Sequence, residues 1–467
     1  MVKCVSQKYL ALSRKINLNF TFEKCIVKTV EALPIIDRDQ ESLESLEFGY
    51  LQVSIEFELK DYESIFDAPI FTRPIYLSLL GIISFLVSEP FGVFNAVGSS
   101  IVGKHILLDE LKAGQQNKLV IDNVDLTDDL NEFLEKLADL EEREKSLFFS
   151  LLDRWRKARY MEEESDDSFL YEDEATLSYF HVLELLGDVY SKRLLIKAEN
   201  LVKEFSDTFN SSILSLHMSA LESENNAKSK LLSGILIKDI SVTSKILFFL
   251  KNFKLYDDRI AFWIRNLVEA RNSVAHGRRV HYTKAIFPVK PFFPLISNNL
   301  YPLDFLRILT AKAISSHIGI SLYRKEWDEI EAYLLDDDFA TKIFLKEKFK
   351  CKENLNKDEE RIVFGGVNHH LLTNKLKPKS CIDFYEFYLG TEAENKSFLA
   401  SNTEAIVILF EMIREQRFEE VLKLAITNIC RLDCNPHERF RDMRYFLDFH
   451  NFKSPKLEIL IANETVR

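Results

Sequence analysis

Three residues within positions 268–280 (VEARNSVAHGRRV) are of the types that metal-free cleavage of a phosphodiester requires. His276 can accept or donate a proton, because histidine titrates near neutral pH. The planar guanidinium of Arg271 suits a phosphate on which negative charge develops during the reaction. Asn272 can bridge to that phosphate or fix the orientation of the imidazole. We therefore predict Arg271, Asn272 and His276 as catalytic residues acting on RNA.

The charges around this stretch differ from those of the whole chain, which carries a formal net charge of −12. Positions 271–290 contain three arginines and two lysines and no acidic residue. A chain this acidic repels polyanions, so any contact with a phosphate backbone must be local. We predict that Arg278, Arg279 and Lys284 contribute to RNA binding at this local basic patch.

The spacing of the proposed catalytic residues constrains how they can act. Five positions along a regular helix leave Arg271 and His276 roughly 140° apart. Either the helix ends between them, as Gly277 indicates, or a second copy of the chain supplies part of the site across a two-fold axis. A structural alternative also exists, because the helix dipole alone favours arginine and histidine near a helix C-terminus.

Apolar residues at helical spacing predict the elements that must position this site. Residues 257–277 form one predicted helix, which leads directly to Arg271. A long helix is predicted over 177–205 and a further one over 303–320. Between them a shorter helix is predicted to begin near Asp239 or Ser241, either of which can cap it.

The segment 271–277 (RNSVAHG) resembles the signature of HEPN-domain ribonucleases, with Arg271, a polar Asn272 and, after a few variable positions, His276. The stretch YFHVLELL is similar to an early HEPN helix that carries an aromatic residue and a glutamate, here Phe180 and Glu184. Residues 301–320 resemble the closing helix. The resemblance covers about 174–325, and the order of helices is similar to the Apea-type branch of bacterial anti-phage proteins.

This resemblance implies a helical bundle that dimerises and cleaves RNA without a metal or cofactor at the dimer interface. The implied products carry a 2′,3′-cyclic phosphate and a 5′-hydroxyl, and the implied setting is prokaryotic defence or toxin action, with room for a phage-derived trigger. Some HEPN toxins carry His, any residue, then Tyr. Here Gly277 and Arg278 follow His276, which argues against the nucleotidyltransferase partner of those toxins. A non-catalytic HEPN scaffold that binds RNA or protein is the alternative.

Residues 1–125 contain strand patterns and predict an α+β module. Positions 51–59 alternate apolar and polar residues, which predicts a half-buried strand. Residues 117–126 predict another strand, and the glycines of 89–105 indicate turns. The apolar run 75–87 is shorter than the roughly 20 residues that a membrane span needs. It is therefore predicted to be a buried core segment, with no membrane partner.

The rest of the chain predicts a mainly α-helical protein. A helix is predicted to open at Thr127 as N-cap and to run to about position 160. The acidic stretch 161–176 is predicted to be a solvated loop and a boundary, or an acidic flap that mimics RNA. The predicted domains are an α+β module (1–125), a helical connector (126–173), a HEPN-like bundle (174–325) and a helical C-terminal region (326–467).

Other residue clusters offer weaker alternatives. Six cysteines are sparse in 467 residues, and no signal-peptide pattern opens the chain, so a reducing cytoplasm is predicted. Cys430, Cys434 and His437 could bind zinc only with a fourth ligand. Arg444 and His450 repeat the Arg–His spacing only loosely. The pair at 369–370 (HH) is predicted to lie in a surface turn.

Overall fold

The computed structural model describes most of the chain, with several gaps. The described residues are 2–33, 48–60, 63–92, 96–103, 115–163, 171–236, 238, 240–275, 302–331, 334–348, 357–372, 375–392, 395, 398–399, 402–412, 416–430, 444, 453 and 455–464.

The chain divides into two compact units. The first comprises Met1–Lys254 and Leu306–Trp327, and the second comprises Leu255–Phe305 and Asp328–Arg467. The mainly helical composition and the N-terminal sheet predicted from the sequence are both present. The four predicted domains and the three boundaries between them remain predictions.

Unit one begins with a seven-stranded antiparallel sheet in the order β5-β1-β4-β3-β2-β6-β7. The strands are β1 (Val2–Ala11), β2 (Ile16–Phe22), β3 (Cys25–Val30), β4 (Tyr50–Leu59), β5 (Ala96–Gly103), β6 (Lys118–Ile121) and β7 (Val124–Asp125).

Strand β4 is confirmed where the alternating pattern predicted it, and the alternation of burial holds at Glu56 and Glu58 but not in the first half of the strand. Its polar residues Gln52 and Ser54 are buried along with the apolar ones. β4 is hydrogen-bonded to β1 on one side and β3 on the other. The cross-strand neighbours Tyr9 and Ile26 share the face of Gln52 and Ser54 and are themselves buried. A central position in the sheet therefore buries polar side chains that an alternating pattern predicts to be exposed.

Two local predictions in this module have different outcomes. The strand predicted at 117–126 is a hairpin, in which Asp122 and Asn123 both have positive φ (48° and 71°). Asp and Asn tolerate this left-handed conformation, which a tight hairpin turn requires. The predicted turns at the glycines are wrong for Gly98 and Gly103, which lie within strand β5.

The apolar run 75–87 lies within helix α1 (Ala68–Val87), and residues Leu79–Phe85 are all buried. Gly81 lets a neighbouring helix approach closely, since a Cβ there would lie 3.1 Å from the Cβ of Leu152. Within the described residues, one segment that includes α1 is long and apolar enough to cross a membrane. Most of it is packed inside the protein, which is also the pattern of a core helix.

Arginine side chains bind the carbonyl groups at the C-terminal end of α1. Arg159 donates to the carbonyl of Ser88 (2.9 Å), Arg156 donates to that of Phe91 (2.9 Å), and Arg14 donates to the last residue of α1. The final carbonyls of a helix lack partners within the helix and carry partial negative charge. Arg14 and Arg159 therefore satisfy and stabilise that end of α1, whereas Arg156 binds the segment that follows the helix.

The helices of the first unit include those predicted from the sequence and a further one, α5, that was not predicted. They are α2 (Thr127–Asp139), α3 (Glu142–Glu163), α4 (Glu172–Ser212), α5 (Met218–Leu236), α6 (Val242–Asn252) and α8 (Pro302–His317), the last of which crosses the division between the units. The helix predicted to run from Thr127 to about 160 is two helices. Thr127 is its first residue rather than its cap, and Asp125 accepts the Thr127 N–H (3.0 Å). Ser241 caps α6 as predicted, accepting from the N–H of Ser244 (3.1 Å).

The acidic stretch 161–176 is only partly what the sequence predicted. Its first three residues complete helix α3, and residues 164–170 lie outside the described residues. Glu162 is mostly buried and accepts hydrogen bonds from Arg159 (2.9 Å), Tyr179 (2.7 Å) and Arg307 (2.5 Å). Burial and the carboxylate of Glu162 raise the pKa of Tyr179, so its hydroxyl remains a donor. Partners on three helices, including the distant cation Arg307, therefore accompany the burial of this acid.

The second unit has a core cluster centred on one apolar helix, α13 (Thr403–Met412), and its described elements are helices. They include α7 (Asp258–Ala275), α10 (Asp338–Ile343), α11 (Lys357–Leu372), α12 (Ile382–Glu392), α13, α14 (Gln416–Cys430) and α15 (Pro455–Glu464); α9 (Arg324–Glu331) crosses the division between the units. Residues Ala405–Phe410 of α13 are all buried. Glu411 accepts the backbone N–H groups of Lys456 (3.1 Å) and Leu457 (2.7 Å), which holds the start of α15 against α13.

Candidate functional site

Helix α7 carries the described part of the predicted site and is fixed at its N-terminus by ordinary capping. The carboxylate of Asp257 accepts the backbone N–H of Ile260 (2.7 Å). Arg259 bonds to Asp257 (2.8 Å) and donates to the carbonyl of Glu331 at the end of α9 (3.2 Å). The N-terminus of α7 is therefore held by the neighbouring pair Asp257 and Arg259 and by the contact of Arg259 with Glu331, which lies in the same unit.

One face of α7 is buried against α11. The ring of Phe262 lies 5.6 Å from that of His370, and the ring of Trp263 lies 5.6 Å from that of His369, measured between centroids. Both histidines are buried inside a helix, so the predicted surface turn is wrong. The aromatic rings of α7 cover the imidazoles, and no local signal in the sequence marks that contact.

Near its C-terminus α7 presents two of the predicted catalytic residues. Arg271 and Asn272 are both half-buried, and Nη1 of Arg271 donates to Oδ1 of Asn272 (3.1 Å). This hydrogen bond restricts the orientation of the Arg271 guanidinium, because the Asn272 side chain binds one edge of it. The cation lies toward the helix end where the dipole is negative, which stabilises it. An arginine held in this way can bind the oxygen atoms of a phosphate.

The remaining predicted site residues lie outside the described residues. These are His276, assigned a catalytic role, and the three cations assigned to RNA binding: Arg278, Arg279 and Lys284. Gly277, predicted to end the helix, also lies outside the described residues, and α7 is described as far as Ala275. The structure thus brings Arg271 and Asn272 together and leaves the placement of His276 a prediction.

The two residues from the early HEPN-like helix lie on α4, in the other unit. Phe180 is fully buried, and Glu184 is half-buried. Glu184 lines a cavity of about 200 Å³ with Asp188 and Lys245, whose side chains form an ion pair at 2.9 Å. Phe180 therefore has a packing role within its unit.

The described residues supply no fourth ligand for the possible zinc site at Cys430, Cys434 and His437. Cys430 is the last residue of α14, whereas Cys434 and His437 lie outside the described residues. Across the residues that are described, no group of three or more His, Cys, Asp or Glu side chains is arranged to hold a metal ion. The buried thiol of Cys381 has a pKa raised to about 12 by desolvation, so it is not a ready thiolate ligand.

Comparison of the chain with protein-family models, with curated proteins and with solved structures finds no match in any of the three.

We expect the second unit to lose stability as the pH falls below about 6.5, the ordinary pKa of histidine. Burial lowers the pKa of His370, whose Nε2 bonds to the carbonyl of Asp336 (2.8 Å). The unfolded chain therefore binds the proton more readily than the folded chain. The stabilisation is complete above the ordinary pKa and is lost as the pH falls toward the folded value.

Denaturant unfolding of the wild type and of His370→Gln, at about pH 7.5 and about pH 5, measures this contribution. Glutamine can still donate to the carbonyl of Asp336 but does not titrate, so the variant should lose less stability between the two pH values. An equal loss in both proteins would contradict the assignment to His370.

Proposed function

We propose that this protein is a metal-independent endoribonuclease with a HEPN-like helical bundle. The observation that carries the proposal is the hydrogen-bonded pair of Arg271 and Asn272 near the end of α7. In the sequence this pair is followed by His276 and by further cations with no intervening acid. The predicted order of apolar helices around the motif, which is similar to that of HEPN domains, supports the same interpretation.

In the proposed reaction the 2′-hydroxyl oxygen of a ribose attacks the adjacent phosphorus. The new P–O2′ bond forms while the P–O5′ bond breaks, leaving a 2′,3′-cyclic phosphate and a 5′-hydroxyl. His276 takes the proton from the 2′-hydroxyl or supplies one to the leaving 5′-oxygen. Arg271 stabilises the negative charge that builds on the non-bridging oxygens, and Asn272 orients the guanidinium.

A two-fold assembly provides the second acid–base group that this chemistry needs. If two copies share the site, one His276 acts as base and the other as acid, and the number of cations doubles. The proposed setting is the cytoplasm of a prokaryotic cell, in defence or toxin action. Arg278, Arg279 and Lys284 hold the phosphate backbone against the repulsion of an otherwise acidic chain.

Cleavage of end-labelled RNA by the purified protein in excess EDTA tests this function. We expect cleavage to continue without metal and the products to carry cyclic phosphate and 5′-hydroxyl ends. The activity should coelute with the protein through two different columns. RNA that is bound but left intact, with and without Mg²⁺, would favour the non-catalytic scaffold, and cleavage abolished by EDTA would indicate a metal-dependent hydrolase.

A further inference from the structure

Helices α4 and α5 pack against each other as a hairpin that exposes apolar side chains on one side. On α4 these are Leu201, Phe205 and Phe209, spaced four residues apart so that they form one stripe. On α5 they are Leu231 and Ile235, also four apart. All five side chains are at least 40% exposed. We call these five residues the hairpin surface.

The two stripes meet along a shallow apolar groove. A cavity of about 210 Å³ lies between Phe205 and Phe209 on α4 and Leu231 and Leu232 on α5. The two phenylalanine rings are nearly parallel, with centroids 6.1 Å apart. The hairpin surface is therefore continuous across both helices.

Polar contacts also join the two helices, so the exposed apolar side chains are not the only groups that hold the hairpin together. The Asn210 side-chain N–H donates to Asn225 (2.5 Å), and Asn225 in turn donates to Asp207. Lys228 also donates to Asn210 (3.0 Å). Asn210 and Asn225 are buried. A hairpin with polar groups inside and phenylalanines outside has the pattern of a subunit within a larger bundle.

The size of the surface suits a dimer of this chain. A large apolar side chain removes on the order of 150–250 Å² from water when it is fully buried. The exposed fractions of the two phenylalanines, two leucines and one isoleucine therefore add up to roughly 500 Å² of apolar surface per copy. A standard interface buries about 800 Å² per partner, of which about 65% is apolar in homodimers, or roughly 500 Å². The exposed apolar area is thus about what one side of a homodimer interface contains.

The charges beside the hairpin surface are of both signs, as a self-complementary interface requires. Glu204 immediately precedes Phe205, and Lys228 lines the groove and pairs with Glu224 (3.2 Å). A two-fold axis can set the acid of one copy against the lysine of the other. A surface of one sign would instead repel its own copy.

We propose that the hairpin surface binds the same surface of a second copy, so that two hairpins form a four-helix bundle about a two-fold axis. This inference concerns assembly and does not depend on whether the protein cleaves RNA.

Sedimentation velocity of the full chain over a range of concentrations tests the proposal. We expect the wild type to be a dimer and Phe205→Glu/Phe209→Glu to be a monomer, with dimerisation weakened at least about 100-fold. Phe66→Glu, at a phenylalanine that is 88% exposed outside the hairpin, should remain a dimer. Leu231→Lys, on the other helix, should also weaken the dimer. Unchanged thermal unfolding establishes that each variant is folded.

A wild type that stays monomeric at high concentration would overturn the proposal, and so would a dimer that persists in both hairpin variants. A monomeric wild type that still cleaves RNA would overturn the hairpin interface and the shared two-fold site but not the nuclease activity, whereas a dimer without cleavage would count only against the nuclease.

Discussion

Replacing His276 with alanine should reduce the rate of RNA cleavage by about 10²–10⁴-fold, the usual contribution of a general acid or base. The reaction needs one proton removed from the 2′-hydroxyl and one delivered to the 5′-oxygen, and alanine can do neither. The measurement is single-turnover cleavage of labelled RNA in EDTA. The part of the rate–pH profile that reflects imidazole titration should disappear with the side chain.

Arg271→Ala belongs to the same experiment and should lower the rate by about 10²–10³-fold through lost stabilisation of the charged transition state. Arg265→Ala provides the matched control, since Arg265 is an exposed arginine on the same helix α7. Its rate should stay within about twofold of the wild type, as for most surface substitutions. Full activity in either His276→Ala or Arg271→Ala, or an equal loss in Arg265→Ala, would refute the assigned roles.

Trp155→Ala should destabilise the first unit by about 3–5 kcal/mol, the usual cost of removing a buried tryptophan. Trp155 is fully buried on α3, with its ring 5.3 Å from that of Phe85 and 6.1 Å from that of Tyr323. Its indole N–H donates to the carbonyl of Arg307 (3.4 Å). Alanine leaves a cavity where helices α1, α3, α4 and α8 meet.

Denaturant unfolding followed by far-ultraviolet circular dichroism measures this loss. Trp155→Phe should cost less, because a large ring still fills most of the space. Tyr160→Ala, at a partly exposed position on the same helix, should change the free energy of unfolding by about 0.5 kcal/mol or less. A loss below about 1 kcal/mol for Trp155→Ala would mean that the ring is not a core element.

Local patterns predicted the elements well where neighbouring residues in the sequence decide the structure. The long helix α4, the cap at Ser241 and the strand β4 all follow from spacing and capping within a few residues. The pairing of Arg271 with Asn272 is local in the same sense, since adjacent side chains need no tertiary contact to meet.

Predictions about exposure failed where distant partners decide burial. Glu162 was expected to be solvated, but Arg307, 145 residues away, reaches it. His370 was expected in a surface turn, but Phe262 of α7 covers it. The glycine at 98 was expected in a turn, but pairing with β1 places it in a strand. In each case the residue type, taken locally, predicted a solvent-exposed side chain or a turn.

By itself the sequence determined the main helical segments around the candidate site, strand β4, the cap at Ser241 and the residue types of the candidate site, because these depend on backbone propensities and spacing within a few residues. Only the tertiary structure decided which polar and charged side chains are buried. Burial of such a group is favourable only when a partner is present, and that partner can lie anywhere in the chain. The fold also placed the helix of Arg271 in the second unit and that of Phe180 in the first.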